Sequence, residues 1–272
     1  MAIVNIMMHS RALQRSVNVT AVIPTDKGYY EGDPMTPERP LKTLYLLNGY
    51  FGAELDWLLL GGIIDVANKH DIAIICPAGE NKFYVDRKGS GEAFGRFVGE
   101  DLVEQTRRMF NLSRKREDTF IGGLSMGGYG ALRNGLRYPD TFGAILSLSP
   151  GFVDEDFLDV SDRPANPFSK SYAANGKYLT YLFGTIEEHK GGDNDIFALY
   201  DRAKEQGKDV PPIFLACGSE DYLVLGGAHK LRDFFTGRGA DFRYVEAPGI
   251  HDWKFWDEHL REACDEFLPL EY

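Results

Sequence analysis

The segment Gly123-Leu124-Ser125-Met126-Gly127 holds the residue types and spacing from which chemistry is most directly read in this chain. It follows a short apolar run, Thr119 to Ile121, and precedes a helix-forming stretch, so Ser125 stands at a sharp turn from strand to helix. Such a turn presents a serine hydroxyl at the end of a sheet, and the flanking glycines let two backbones pass without colliding Cβ atoms. A phosphate-cradling reading of the same glycines would need a lysine beside a serine or threonine, and none follows.

A serine hydroxyl becomes a competent nucleophile only when an imidazole takes its proton, with a carboxylate fixing the tautomer and stabilising the imidazolium. The order serine, acid, histidine is expected for this kind of turn. Asp221 fits the acid: the apolar run Ile213 to Cys217 leads into Gly218-Ser219-Glu220-Asp221, which projects a carboxylate over the sheet edge, with Glu220 as the adjacent competitor. His251 fits the base, because it follows the run Phe242 to Val245 through Ala247-Pro248-Gly249-Ile250 and precedes a terminal helix. Of the remaining histidines, His259 falls inside that helix, His70 at a helix end and His229 near a helix start; His9 and His189 complete the six.

A tetrahedral oxyanion would need preorganised amides, one from the residue after the nucleophile and one from the loop after the third strand. Met126 supplies the first. The run Thr43 to Leu47 ends in Asn48-Gly49-Tyr50-Phe51-Gly52, which makes Tyr50 N the first choice for the second and Phe51 N the alternative.

The elements that must hold these groups are legible as a rhythm. Ile3 to Met8 and Val17 to Ile23 suggest an antiparallel strand pair at one sheet edge. Continuous apolar runs follow at Thr43 to Leu47, Ile72 to Cys76, Thr119 to Ile121, Ala144 to Leu148, Ile213 to Cys217 and Phe242 to Val245. Helical periodicity marks Trp57 to Lys69, with a break expected at Gly61-Gly62, then Arg96 to Phe110, Met126 to Arg137, Ile196 to Gln206, Ala228 to Thr236 and Trp253 to Phe267. The alternation predicts a mostly parallel central sheet with helices on both faces. Gly151 to Asn194 breaks the rhythm and reads as an excursion, residues 151–194, covering the active-site edge of a single domain spanning 1–272.

Composition narrows the function classes. A chain of 272 residues with 43% hydrophobic and 26% charged residues is ordinarily globular, and a formal charge of -11 argues against a nucleic-acid surface. The one tight basic run, Arg114-Lys115-Arg116, reads as a solvated turn. The amino terminus lacks the pattern of a secretion signal and no run approaches a membrane span, so a cytoplasmic location is expected. Cys76, Cys217 and Cys264 are odd in number and widely spaced, which suits reduced, buried thiols and not a disulfide framework or a metal site.

The sequence resembles the esterase D-like branch of α/β-hydrolases, a group that includes tributyrin, acetyl and feruloyl esterases and S-formylglutathione hydrolases. The resemblance spans nearly the whole chain and is carried by Leu46-Leu47-Asn48-Gly49 with Asp56-Trp57, Asn81-Lys82-Phe83-Tyr84-Val85-Asp86, Gly122 to Leu132, Cys217 to Asp221 and Pro248-Gly249-Ile250-His251-Asp252-Trp253. It is nearest to the tributyrin esterase type. It implies an α/β-hydrolase fold, the triad already assigned, oxyanion amides at Tyr50 and Met126, and no metal or organic cofactor. Asn48 departs from the histidine many relatives carry before the glycine, and no cysteine follows Gly49 as it usually does in S-formylglutathione hydrolases. The expected function is hydrolysis of short-chain acyl esters through an acyl-enzyme, with a feruloyl esterase as the main alternative and S-formylglutathione hydrolysis or acyl transfer behind it. Phe51, Trp57, Phe83, Tyr84 and Trp253 are candidates for a compact substrate pocket, each equally able to be core packing. The expected partner is a small-molecule ester, with neither nucleic acid nor membrane; assembly into a homo-oligomer is left open.

Overall fold

A computed structural model of the protein describes residues 1–27, 38–87, 90–159 and 176–271. Its backbone is organised by an eight-stranded sheet in the order β1-β2-β4-β3-β7-β8-β9-β10. The strands are β1 Ala2–Ser10, β2 Arg15–Ile23, β3 Thr43–Leu47, β4 Ala73–Pro77, β7 Thr119–Leu124, β8 Ala144–Leu148, β9 Ile213–Gly218 and β10 Phe242–Ala247. β1 pairs antiparallel with β2 and β2 with β4, whereas every pairing from β4 through β3 to β10 is parallel. The expected edge pair and parallel centre are both present. A small hairpin, β5 Asp86–Arg87 and β6 Glu92–Ala93, was not anticipated; two-residue strands leave no periodic trace.

Alternate residues of each central strand enter opposite apolar layers. Tyr45 and Leu47 pack with Phe94, Phe97, Leu132, Ile196 and Leu231 on one face, while Leu44 and Leu46 pack with Ile63, Val66, Phe255 and Leu260 on the other. Burying both faces is what gives these strands continuous apolar runs in place of an alternation.

The stretch from Trp57 to Lys69 breaks where Gly61-Gly62 was expected to break it: the helices are Asp56–Leu60 and Ile63–His70, Gly61 is extended at φ −108° and ψ 162°, and Gly62 N donates to Asp257 Oδ1 at 2.6 Å. The next opens two residues early, at Phe94, and carries a five-residue π turn, Phe97–Asp101, before continuing as Leu102–Met109. Asp101, at the end of that wide turn, accepts from Ser10 Oγ at 2.6 Å and Ala12 N at 2.8 Å.

Within the excursion, helices occupy Glu155–Leu158, Gly176–Phe183 and Ile186–His189; residues 160–175 lie outside the described ones. Phe183 meets Phe83 and Tyr129 with ring centroids 5.3 and 5.9 Å apart, and Tyr129 donates its hydroxyl to Asn194 O at 2.6 Å. The segment is thereby tied to the helix that follows Ser125. The basic run takes its solvated reading: Arg116 donates to Asp209 and to Pro139 O, and Arg114 faces Glu104.

Candidate active site

Ser125 sits between β7 and the helix Met126–Arg137 with φ +53° and ψ −116°, a conformation that L residues other than glycine rarely adopt. The turn is held from several sides. Ser125 N donates to Leu148 O at 2.8 Å, and Ser125 O accepts from Tyr129 N at 3.1 Å and Gly151 N at 2.9 Å. A Cβ on Gly123 would lie 2.5 Å from Gly127 O, and one on Gly127 would run into Leu47 O. Both glycines are required by backbone crossing, as the motif suggested.

β9 and β10 bring the other two groups to this point. The Asp221 side chain is buried behind the turn after β9, and His251 lies in the loop that joins β10 to the terminal helix Trp253–Glu266. His251 Nε2 is 3.0 Å from Ser125 Oγ, and His251 Nδ1 is 2.6 Å from Asp221 Oδ2. With Nδ1 protonated, that nitrogen donates to the carboxylate and Nε2 accepts from the hydroxyl. Glu220, the competing acid, turns elsewhere: its amide donates to Gly249 O at 3.0 Å and its carboxylate accepts from Gly249 N at 2.7 Å, stitching the acid turn to the histidine loop. The imidazole rests edge-on against Trp256 at 4.9 Å, a contact the sequence reading did not include, and Asp252 caps the terminal helix by accepting from Phe255 N.

Three of the other histidines have structural partners. His259 is buried, stacks on Phe255 at 4.0 Å and shares a hydrogen bond with Phe255 O, whereas His70 meets Asp265 and His229 meets Glu246. Burial pushes the thiols of Cys217 and Cys264 up to about 12 and that of Cys76 higher still, which keeps all three protonated.

Met126 N opens the nucleophile helix, beside Gly151. The Asn48–Gly52 loop lies across the turn, with Gly49 against Leu124 and Ser125. Phe51, at φ +67°, already donates its amide to Asn81 Oδ1 at 2.7 Å, so of the two loop amides considered for an oxyanion the Phe51 amide is taken. Asn48 is buried at the root of the loop, where its Nδ2 donates to Gly49 O and its Oδ1 accepts from Gly79 N and Tyr84 OH. Neither asparagine was singled out for a role by the sequence reading; an Asn-Gly pair directly after a strand was the one available signal.

The five pocket candidates separate. Trp57 and Tyr84 have no accessible surface: the indole donates to Leu47 O at 3.0 Å and the phenol bonds to Asn48, so both support the site from beneath. Phe83 is buried among Tyr50, Tyr129, Phe157 and Phe183. Only Phe51, which is exposed, and Trp253, which is half-buried between Trp57 and Trp256, offer surface to a ligand.

Among the described residues, no helix is long and apolar enough to cross a membrane. The family model described as "Putative esterase" matches residues 10–267. An acetyl esterase of Caldicellulosiruptor saccharolyticus is 38% identical over 265 residues, covering 97% of each chain. Among solved structures, the fluorophosphonate-binding serine hydrolase FphF of Staphylococcus aureus superposes with a TM-score of 0.81 at 28% identity, covering 97% of both chains. The S-formylglutathione hydrolase FrmB of the same organism does so with a TM-score of 0.78 at 27% identity and the same coverage. The α/β-hydrolase fold expected from the sequence is the fold of these neighbours.

Proposed function

The chain belongs to the putative esterase family and is a carboxylic ester hydrolase; from that premise we propose that it hydrolyses small acyl esters through Ser125, His251 and Asp221, as a single domain whose 151–194 excursion covers the active-site edge. The observation that carries this reading is the unbroken relay from hydroxyl to imidazole to carboxylate, at 3.0 and 2.6 Å, in a strained turn.

In the first half-reaction the Ser125 proton passes to His251 Nε2 as Oγ bonds to the ester carbon, and the carbonyl electron pair moves onto oxygen. The Met126 and Tyr50 amides meet that oxyanion. When it collapses, the bond to the alcohol oxygen breaks and His251 Nε2 returns the proton to the leaving alcohol. Water then repeats the sequence on the acyl-enzyme, releasing the acid and restoring Ser125. Side chains, backbone amides, substrate and water carry every proton and electron pair in this cycle.

A small acyl group, acetate to butyrate on a neutral alcohol, is supported by the acetyl esterase relative. The aromatic wall that would favour a feruloyl group is reduced, since Trp57, Phe83 and Tyr84 are buried. Asp154, Glu155, Asp156, Asp159, Asp162, Glu187 and Glu188 give the excursion a poor composition for gripping lipid chains, and the net charge of -11 disfavours anionic thioesters. The test compares kcat/KM for p-nitrophenyl acetate, butyrate, decanoate and palmitate with methyl ferulate and S-formylglutathione. Preference for decanoate or palmitate refutes the small-acyl reading, and dominance of either of the last two moves the assignment to that substrate.

A further inference from the structure

Between β4 and β5 the chain makes two successive turns, closed by Lys82 N donating to Gly79 O at 3.0 Å and Val85 N donating to Lys82 O at 3.2 Å. Glu80, Asn81, Phe83 and Tyr84 all have positive φ, between 49° and 58°, without a glycine among them. Each such residue carries a steric penalty that the surroundings must offset, and runs of them concentrate where a backbone is held for a purpose.

Here the loop grips its neighbour at three successive points. The Tyr84 hydroxyl bonds to Asn48, the Phe83 ring lies 6.0 Å from that of Tyr50, and Asn81 Oδ1 accepts from Phe51 N at 2.7 Å. On its other side, Asn81 O accepts from the hydroxyl of Tyr178, on the helix Gly176–Phe183, at 2.7 Å. Phe51 is itself left-handed at φ +67° and its side chain is exposed, so burial of the ring does little to hold that conformation. The Asn81 bond, together with the turn bond from Gly52 N to Gly49 O at 3.2 Å, opposes its relaxation to negative φ.

We infer that Asn81 is a positioning residue for the oxyanion site: by holding Phe51 left-handed it fixes the adjoining Tyr50 amide for the transition state, and Tyr178 couples this setting to the covering helix. The inference rests on the catalytic reading above. A hole held in advance stabilises the oxyanion without reorganisation, whereas the ground-state carbonyl gains little from it, so loosening the loop lowers kcat and leaves KM nearly alone.

The test uses Asn81→Gly, which removes the acceptor while keeping the left-handed backbone available, with Tyr178→Phe as a milder second variant. Active enzyme is counted by phosphonate labelling, and folding is checked by Tm. For p-nitrophenyl acetate, kcat of Asn81→Gly falls about tenfold to a hundredfold, less than the hundredfold to thousandfold typical of deleting an oxyanion donor outright. KM stays within about threefold, and a trifluoromethyl ketone binds more weakly by the same factor as kcat/KM falls. Tyr178→Phe lowers kcat less, and adds little in the double variant. A KM increase at unchanged kcat overturns the inference, as does unchanged ketone affinity. Wild-type kcat in Asn81→Gly beside an inactive Ser125→Ala also overturns it while leaving the triad standing; an active Ser125→Ala refutes the triad itself.

Discussion

Replacing Asp221 by asparagine separates catalysis from stability. The carboxylate is 2% exposed, its Oδ2 lies 2.6 Å from His251 Nδ1, and its buried Oδ1 has no hydrogen-bond partner among the described residues. An amide of the same shape either turns its NH2 toward Nδ1, forcing the proton onto Nε2 where it cannot accept from Ser125, or turns its oxygen there and loses the charge that stabilises imidazolium. In comparable triads this costs on the order of 10⁴ in kcat, which at about 1.36 kcal/mol per decade is roughly 5 kcal/mol of transition-state stabilisation. The folded state, by contrast, is relieved of a buried charge with an unpaired oxygen, so Tm is unchanged or a few degrees higher. Glu220→Gln is the matched control: it keeps a carbonyl oxygen for the bond to Gly249 N, and losing the charge on that bond costs about 1 kcal/mol, under tenfold in rate. The assay is p-nitrophenyl acetate turnover alongside thermal unfolding. Asp221→Asn retaining more than about 1% of kcat, or Glu220→Gln suffering the larger loss, refutes the assignment, and a large drop in Tm shows that unfolding, not chemistry, was measured.

Three further outcomes are expected. Ser125→Ala abolishes turnover by roughly 10⁴-fold or more with the fold intact, and residual activity of a few per cent in uncontaminated protein refutes the serine mechanism. Gly127→Ala drives a Cβ into the Leu47 carbonyl, so the crossing of β3 and the nucleophile helix must open; activity falls and stability drops by about 1–3 kcal/mol, read by urea unfolding, and a silent substitution contradicts the close crossing. His189 is buried, and that burial holds its pKa below the ordinary value despite the nearby carboxylates of Asp195, Asp154 and Glu155. Below an unfolded value of about 6.5 the unfolded chain binds a proton that the folded chain refuses, so this stability is complete above that pH and is lost as pH falls toward the folded pKa. Unfolding free energies measured from pH 7.5 to 5 therefore decline less steeply in His189→Gln, and an identical slope removes His189 as the cause.

The side chains proposed for catalysis stand out in the sequence because each follows an apolar run that reads as a strand. The expected ranges of β3 and β8 agree with the structure to the residue, since strands buried on both faces must be apolar throughout. β7 runs three residues past its apolar signature, because Gly122 and Gly123 still pair with Leu146 and Ser147 although they contribute no side chain to a pattern. The supporting residues were illegible for a related reason. Trp57, Phe83 and Tyr84 have the same composition whether they line a pocket or prop one up; the difference lies in where an indole or phenol finds its partner, at Leu47 O and at Asn48. Asn81 is more extreme, since its side-chain amide serves a residue thirty positions away, from within a run of left-handed residues that includes Glu80, Phe83 and Tyr84. Local sequence rules describe what a segment does for itself. A residue held against those rules does something for another segment, and here the other segment lies across the nucleophile: Gly49, two residues before the Phe51 amide that Asn81 holds, packs on Leu124 and Ser125.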